Sequence, residues 1–118
     1  MLKLSHDQEA VFAEEAKRAY EERVVDLLRE GFPNARAMRR RDLRPVVREQ
    51  IDKAKGHGLI SGRQVATYVI IAWILGVDFD ERFPVLRRTL HDWEIDPQRK
   101  AEILSEHTTA LLSALAEE

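Results

Sequence analysis

The chain has no cysteine, which excludes disulfides, thiolate metal sites, iron–sulfur clusters and cysteine nucleophiles. Neither sign of charge is in excess: 19 basic and 21 acidic side chains leave a net charge of −2. The molecule as a whole is therefore not a polyanion binder, although a local patch can be. The longest apolar run, Val65 to Leu75 with Thr67 inside it, falls short of the about 20 residues a membrane span needs. The opening residues, Met1-Leu2-Lys3-Leu4 and then Ser5-His6-Asp7-Gln8-Glu9, lack the apolar core of a secretion signal, so a cytoplasmic location is expected. His-Glu-x-x-His and Glu-x-x-His spacings are missing, as are a Gly-x-Ser-x-Gly elbow and a phosphate-cradling glycine loop. His6, His57, His91 and His107 accordingly read as surface or loop residues. No catalytic residue, metal, cofactor or small-molecule substrate is expected.

What remains is helical punctuation. With 118 residues, 44% of them hydrophobic and 34% charged, the sequence predicts one all-α domain over 1–118. Ser5 and Gln8 form a capping box ahead of an apolar stripe through Val11, Phe12, Ala16, Ala19, Tyr20, Val24, Leu27 and Leu28, ended by Gly31 and Pro33. Residues 33–38 read as a connector. A second helix starts near Asp42, with Pro45 in its first turn, and ends at Gly56. Ser61 and Gln64 form another capping box before the apolar run at 65–75, which Gly76 terminates. That run, apolar on nearly all sides, is expected to be the central helix round which about five helices pack. A short fourth helix, capped by Asp78 or Asp80, carries Phe83, Val85, Leu86 and Leu90. Asp96-Pro97 starts the last, with an inner stripe of Ala101, Leu104, Thr108, Leu111, Leu112 and Leu115.

Three features could carry function. Arg36, Arg39, Arg40, Arg41, Arg44 and Arg48 concentrate guanidinium groups suited to carboxylates or phosphates. Such a cluster is a solvated loop balanced by the acidic first helix, a dock for an acidic protein, or a phosphate-binding patch. The acidic remainder of the chain, and the lack of interleaved aromatics for base stacking, argue against nucleic acid. Phe79, between Asp78 and Asp80, either folds back over the central helix as an apolar latch or faces a partner. Trp93 is either core or a partner-facing anchor.

From Val47 to Leu90 the order is helix, Gly56-His57-Gly58-Leu59-Ile60-Ser61 link, apolar helix with Tyr68, then Gly76-Val77-Asp78-Phe79-Asp80 and a helix with Pro84 and Leu90. This stretch resembles the small helical region toward the C-terminus of type VI secretion effector adaptors of the Tap type, and small stand-alone proteins of such gene clusters. The matching positions are His57-Gly58, Ser61 with Val65, and Gly76, Phe79 and Asp80. The resemblance implies a non-enzymatic accessory, a chaperone or co-adaptor whose partner is a secreted effector or its adaptor. Two other classes stay open: an immunity protein whose acidic first helix blocks a toxin, and a small nucleic-acid-binding regulator using the Arg36–Arg48 patch.

Overall fold

A computed structural model describes residues 6–117 and the side chains of residues 13–117. Among these residues the protein is all-helical, without a strand. The helices are α1 (His6–Gly31), α2 (Pro33–Arg36), α3 (Arg40–Gly56), α4 (Gly62–Leu75), α5 (Phe79–Arg82), α6 (Pro84–His91) and α7 (Pro97–Ala116). The chain divides into two compact units, Met1–Val47 and Arg48–Glu118, the division falling within α3. None of the helices among the described residues is long and apolar enough to cross a membrane.

In the first unit, Val24, Val25, Leu28, Ala35, Leu43 and Val47 are buried. Ala16, Ala19 and Leu27, placed on the inner stripe by their spacing, are exposed instead. Ser5, and the side chains of Val11 and Phe12, lie outside the described residues. The expected connector at 33–38 contains the single-turn helix α2. Pro33 at its first position has the φ a helix needs and lacks only a donor that a first turn leaves unused. Arg36 holds the turn in place by reaching back to α1, its Nε donating to the Arg29 carbonyl at 3.0 Å and a terminal nitrogen to the Glu30 carbonyl at 3.3 Å. These are carbonyls that a helix C-terminus leaves without intrahelical partners. The next helix begins at Arg40 rather than near Asp42, so Pro45 stands in its interior and not in its first turn. The proline ring there removes the amide that would otherwise bond the carbonyl of Arg41.

The second unit contains the elements that carry the candidate site. The Ser61–Gln64 capping box forms as its spacing predicts: Gln64 N–H donates to Ser61 Oγ (3.1 Å), and Ser61 N–H donates to Gln64 Oε1 (3.1 Å). α4 then buries Val65, Tyr68, Val69, Ile71 and Ala72. Val65, Val69 and Ile71 each contribute roughly 1.5–3 kcal/mol on leaving water. Ile70 and Trp73 are half-buried and Ile74 is exposed, so α4 is shielded over one broad face and not all round. It ends at Gly76, whose φ of +112° is rarely adopted by residues with a Cβ.

The single fourth helix expected from the sequence is two pieces. Phe83, in an extended conformation (φ −103°, ψ 108°), separates α5 from α6, because Pro84 crowds a helical conformation at the residue before it. α7 starts where Asp96-Pro97 predicts: Asp96 Oδ1 accepts from Arg99 N–H at 3.0 Å. Ala101, Leu104 and Thr108 are buried, but Leu111 is half-buried and Leu112 and Leu115 are exposed. The inner stripe thus leaves the core after Thr108. α4 and α7 run parallel, with Gln64 bonded to Gln98 near their starts and Ile74 beside Leu112 further along.

Candidate protein-docking surface

The six arginines of the sequence cluster do not act alike. Arg36 caps α1 as described. Arg40 pairs with Glu22 and Asp26, and Arg44 pairs with the other oxygen of Glu22. The fit is geometric: Glu22 and Asp26 sit four residues apart on α1, and Arg40 and Arg44 four apart on α3, so each pair occupies one helix face. The two carboxylates, hydrogen-bonded to its guanidinium, hold the Arg40 pKa above the usual arginine value. Arg48 lies in the second unit and also has an interaction partner. Arg39 and Arg41 are exposed and form no ion pair among the described residues. They are the two cations of the cluster left to meet something else.

In the second unit, Asp80 is buried and stands at the centre of a polar node. Its Oδ2 lies 3.0 Å from His57 Nε2, and its Oδ1 lies 3.2 Å from Lys53 Nζ. A carboxylate only accepts, so His57 Nε2 carries the proton. Lys53 Nζ also donates to the Val77 carbonyl at 2.7 Å. Burial raises the Asp80 pKa, but hydrogen bonds and charge from His57 and Lys53 outweigh it and leave the value below that of an ordinary aspartate. The His57 ring packs on Tyr68 (centroids 5.7 Å apart) and edge-on against His91 (5.5 Å). His57 lies in the turn after α3, a loop position as its sequence context suggests, and there it is committed to Asp80, Tyr68 and His91. The Tyr68 hydroxyl is buried, and burial, with the Asp80 carboxylate nearby, pushes its pKa far above the ordinary phenol value.

Phe79 has no exposed surface and lies against Tyr68, ring centroids 4.8 Å apart. It closes the end of α4 from within, so it offers a partner nothing to touch. Trp93 is the opposite case, with 74% of its surface exposed. Beneath it lies Lys100, a lysine only 2% exposed, whose Nζ donates to the carbonyls of His57 (3.0 Å) and Leu90 (3.1 Å). The same Nζ stands 4.9 Å from the centroid of the Trp93 ring. Gly58, at φ +89°, brings bare backbone under the indole; a Cβ there would come within 3.3 Å of Trp93 Cζ3. Two residues further on, Ile60 is 78% exposed. An aromatic ring so exposed is held from below by a cation, which limits its freedom.

Sequence reasoning missed Lys100 and Lys53. Lys100 precedes Leu104 by four residues and so shares its buried face, a spacing signal masked by the ordinary preference of lysine for solvent. Lys53 gives only the weaker signal of a cation in the last turn of α3. No group of three or more potential metal ligands comes together among the described residues. Compared with known proteins, the chain matches no family, no curated protein and no solved structure.

Proposed function

We propose that this chain is a non-enzymatic protein-binding accessory, a chaperone or co-adaptor that holds a type VI secretion effector or its adaptor in the cytoplasm. The observation that carries the protein-binding reading is Trp93, held on the surface by Lys100 and Gly58 and flanked in sequence by no cover of its own. Tryptophan ordered before contact loses little side-chain freedom on binding, which suits it to anchor an interface. α4 is taken as the central helix of the scaffold behind it, and Arg39 and Arg41 as cations for an acidic partner. The resemblance supplies the secretion context, and two of its positions, His57 and Asp80, are joined by the bond that orders the link carrying Gly58. This reading needs no cofactor, membrane, nucleic acid or small-molecule substrate.

The commitment of Arg36, Arg40 and Arg44 to protein groups counts against the nucleic-acid regulator, which needs those guanidiniums for phosphates. The test is co-purification with type VI secretion effector and adaptor proteins expressed together with this chain. Trp93→Ala, and separately Arg39→Glu with Arg41→Glu, should weaken capture while circular dichroism stays unchanged. Capture indifferent to all three substitutions rejects this surface. Rescue of cells from a co-expressed toxin, in place of capture of an adaptor, would move the assignment to an immunity protein.

A further inference from the structure

The turn between α6 and α7 reads Asp-Trp-Glu-Ile-Asp over residues 92–96, and Asp92, Glu94 and Asp96 are all exposed. None of these three carboxylates forms an ion pair among the described residues. Two of them spend one oxygen on backbone: Asp92 Oδ1 accepts from the Glu94 N–H at 2.9 Å, and Asp96 Oδ1 accepts from that of Arg99 at 3.0 Å. The cations that follow in sequence are engaged elsewhere. Arg99 pairs with Glu102 and Glu106, and the Lys100 ammonium turns inward to the His57 and Leu90 carbonyls. Arg88, four residues before Asp92, forms no ion pair with it either. Within this acidic turn stands Trp93, 74% exposed although Lys100 and Gly58 lie against it. An open indole face and unpaired carboxylates on the two adjoining residues thus occur together.

We infer that Trp93 and its acidic turn take an arginine of the partner protein, the guanidinium laid on the open face of the indole and paired with Asp92 or Glu94. This rests on the protein-binding reading of Trp93 and adds the charge of what the ring meets. Opposite charge across an interface rejects wrong partners and speeds encounter. A guanidinium suits the place better than an ammonium, because its plane stacks on an aromatic face while its fork of donors matches a carboxylate. Lys100 supplies one positive charge beneath the ring, but three carboxylates outweigh it for a cation arriving from solvent. Those carboxylates repel phosphate, which sets aside nucleic acid and an anionic lipid surface. Small quaternary cations are held by cages of several rings, whereas no second ring packs on Trp93 among the described residues. Ile60, 78% exposed and two residues beyond the glycine at the indole, offers an apolar contact for a residue beside that arginine.

The test uses the full chain carrying Trp73→Phe, in which indole fluorescence reports Trp93. It is titrated with the peptide acetyl-Leu-Arg-Leu-Arg-amide, and with the same peptide holding citrulline, the neutral isostere, in place of both arginines. The arginine peptide should give a saturable change, and the citrulline peptide should bind about tenfold or more weakly. Asp92→Asn combined with Glu94→Gln should weaken the arginine peptide by a similar factor, and so should salt that screens exposed charges. Both replaced residues are exposed, and asparagine at 92 keeps the oxygen that accepts from the Glu94 N–H, so the turn survives. No saturable change, equal binding of the citrulline peptide, or indifference to the double variant overturns the inference. So does a response to spermidine alone, which assigns the turn to a small polyamine. Capture of effector or adaptor that is lost in Trp93→Ala but unmoved by the double variant rejects the arginine and leaves the protein-binding reading standing. Capture indifferent to Trp93→Ala rejects both.

Discussion

His57 Nε2 and Asp80 Oδ2, 23 residues apart in sequence, are 3.0 Å apart in space. The bond joins the link after α3 to the single turn of α5, and Lys53 closes the node by bonding both Asp80 and the carbonyl of Val77. Asp80 thus stabilises tertiary structure as a buried acceptor, where its sequence context shows a turn-former and helix cap. The same link supplies the His57 carbonyl to Lys100 and the bare backbone of Gly58 to Trp93. The Asp80 carboxylate thus helps to fix the link on which Lys100 and Trp93 rest.

Acid should dissolve this node. The folded-state pKa of Asp80 is depressed, so its carboxylate adds stability that is fully present above the unfolded aspartate value, about 3.9, and is lost as pH falls through the folded value below it. Asp80→Asn should cost about 2 kcal/mol at neutral pH, the scale of a hydrogen bond to a charged group. Urea melts at pH 7, 5, 3.5 and 2.5 should show that gap closing only below about pH 4. A gap that stays constant to pH 2.5 would show that the charge of Asp80 is not what stabilises the fold.

Lys100→Met tests the support under Trp93. The substitution keeps the length of the side chain but removes the donors to the His57 and Leu90 carbonyls, each costing about 1–3 kcal/mol if left buried and unpaired. It also removes the cation beneath the indole. In a Trp73→Phe background, where Trp93 is the remaining tryptophan, fluorescence anisotropy should fall as the ring gains freedom. An unchanged anisotropy would separate the order of Trp93 from Lys100.

The helix plan was legible in the sequence wherever a local rule decides the outcome. Ser61 with Gln64, Asp96 with Pro97, and Gly76 act within a few residues of themselves, and the structure places their caps and stops accordingly. Pro84 also acts locally, yet its effect on Phe83 was hidden by an apolar spacing that runs across the break. Ala16, Ala19, Leu112 and Leu115 show where periodicity misleads, since spacing defines a face but not whether another element covers it. The candidate site was the least legible part. Trp93 and the arginines could be named from composition, but which arginines are already paired depends on α1 meeting α3, and Lys100 under the indole depends on contacts 43 and 10 residues away. Pairings of that range leave no mark on local sequence.

The two faces of α4 should respond differently to a buried charge. Val69 is buried at 2% exposure in the apolar core, so Val69→Asp takes a carboxylate out of water. The group either takes up a proton or forces the helix open, and a loss of several kcal/mol follows, enough to unfold a domain of ordinary stability. Ile74 is on the exposed side of the same helix, and Ile74→Asp should leave the far-ultraviolet circular dichroism and the melt close to those of the parent. Ile70→Asp and Trp73→Asp, at half-buried positions, should fall between the two. Equal tolerance at 69 and 74 would mean that α4 does not bury the face assigned to it.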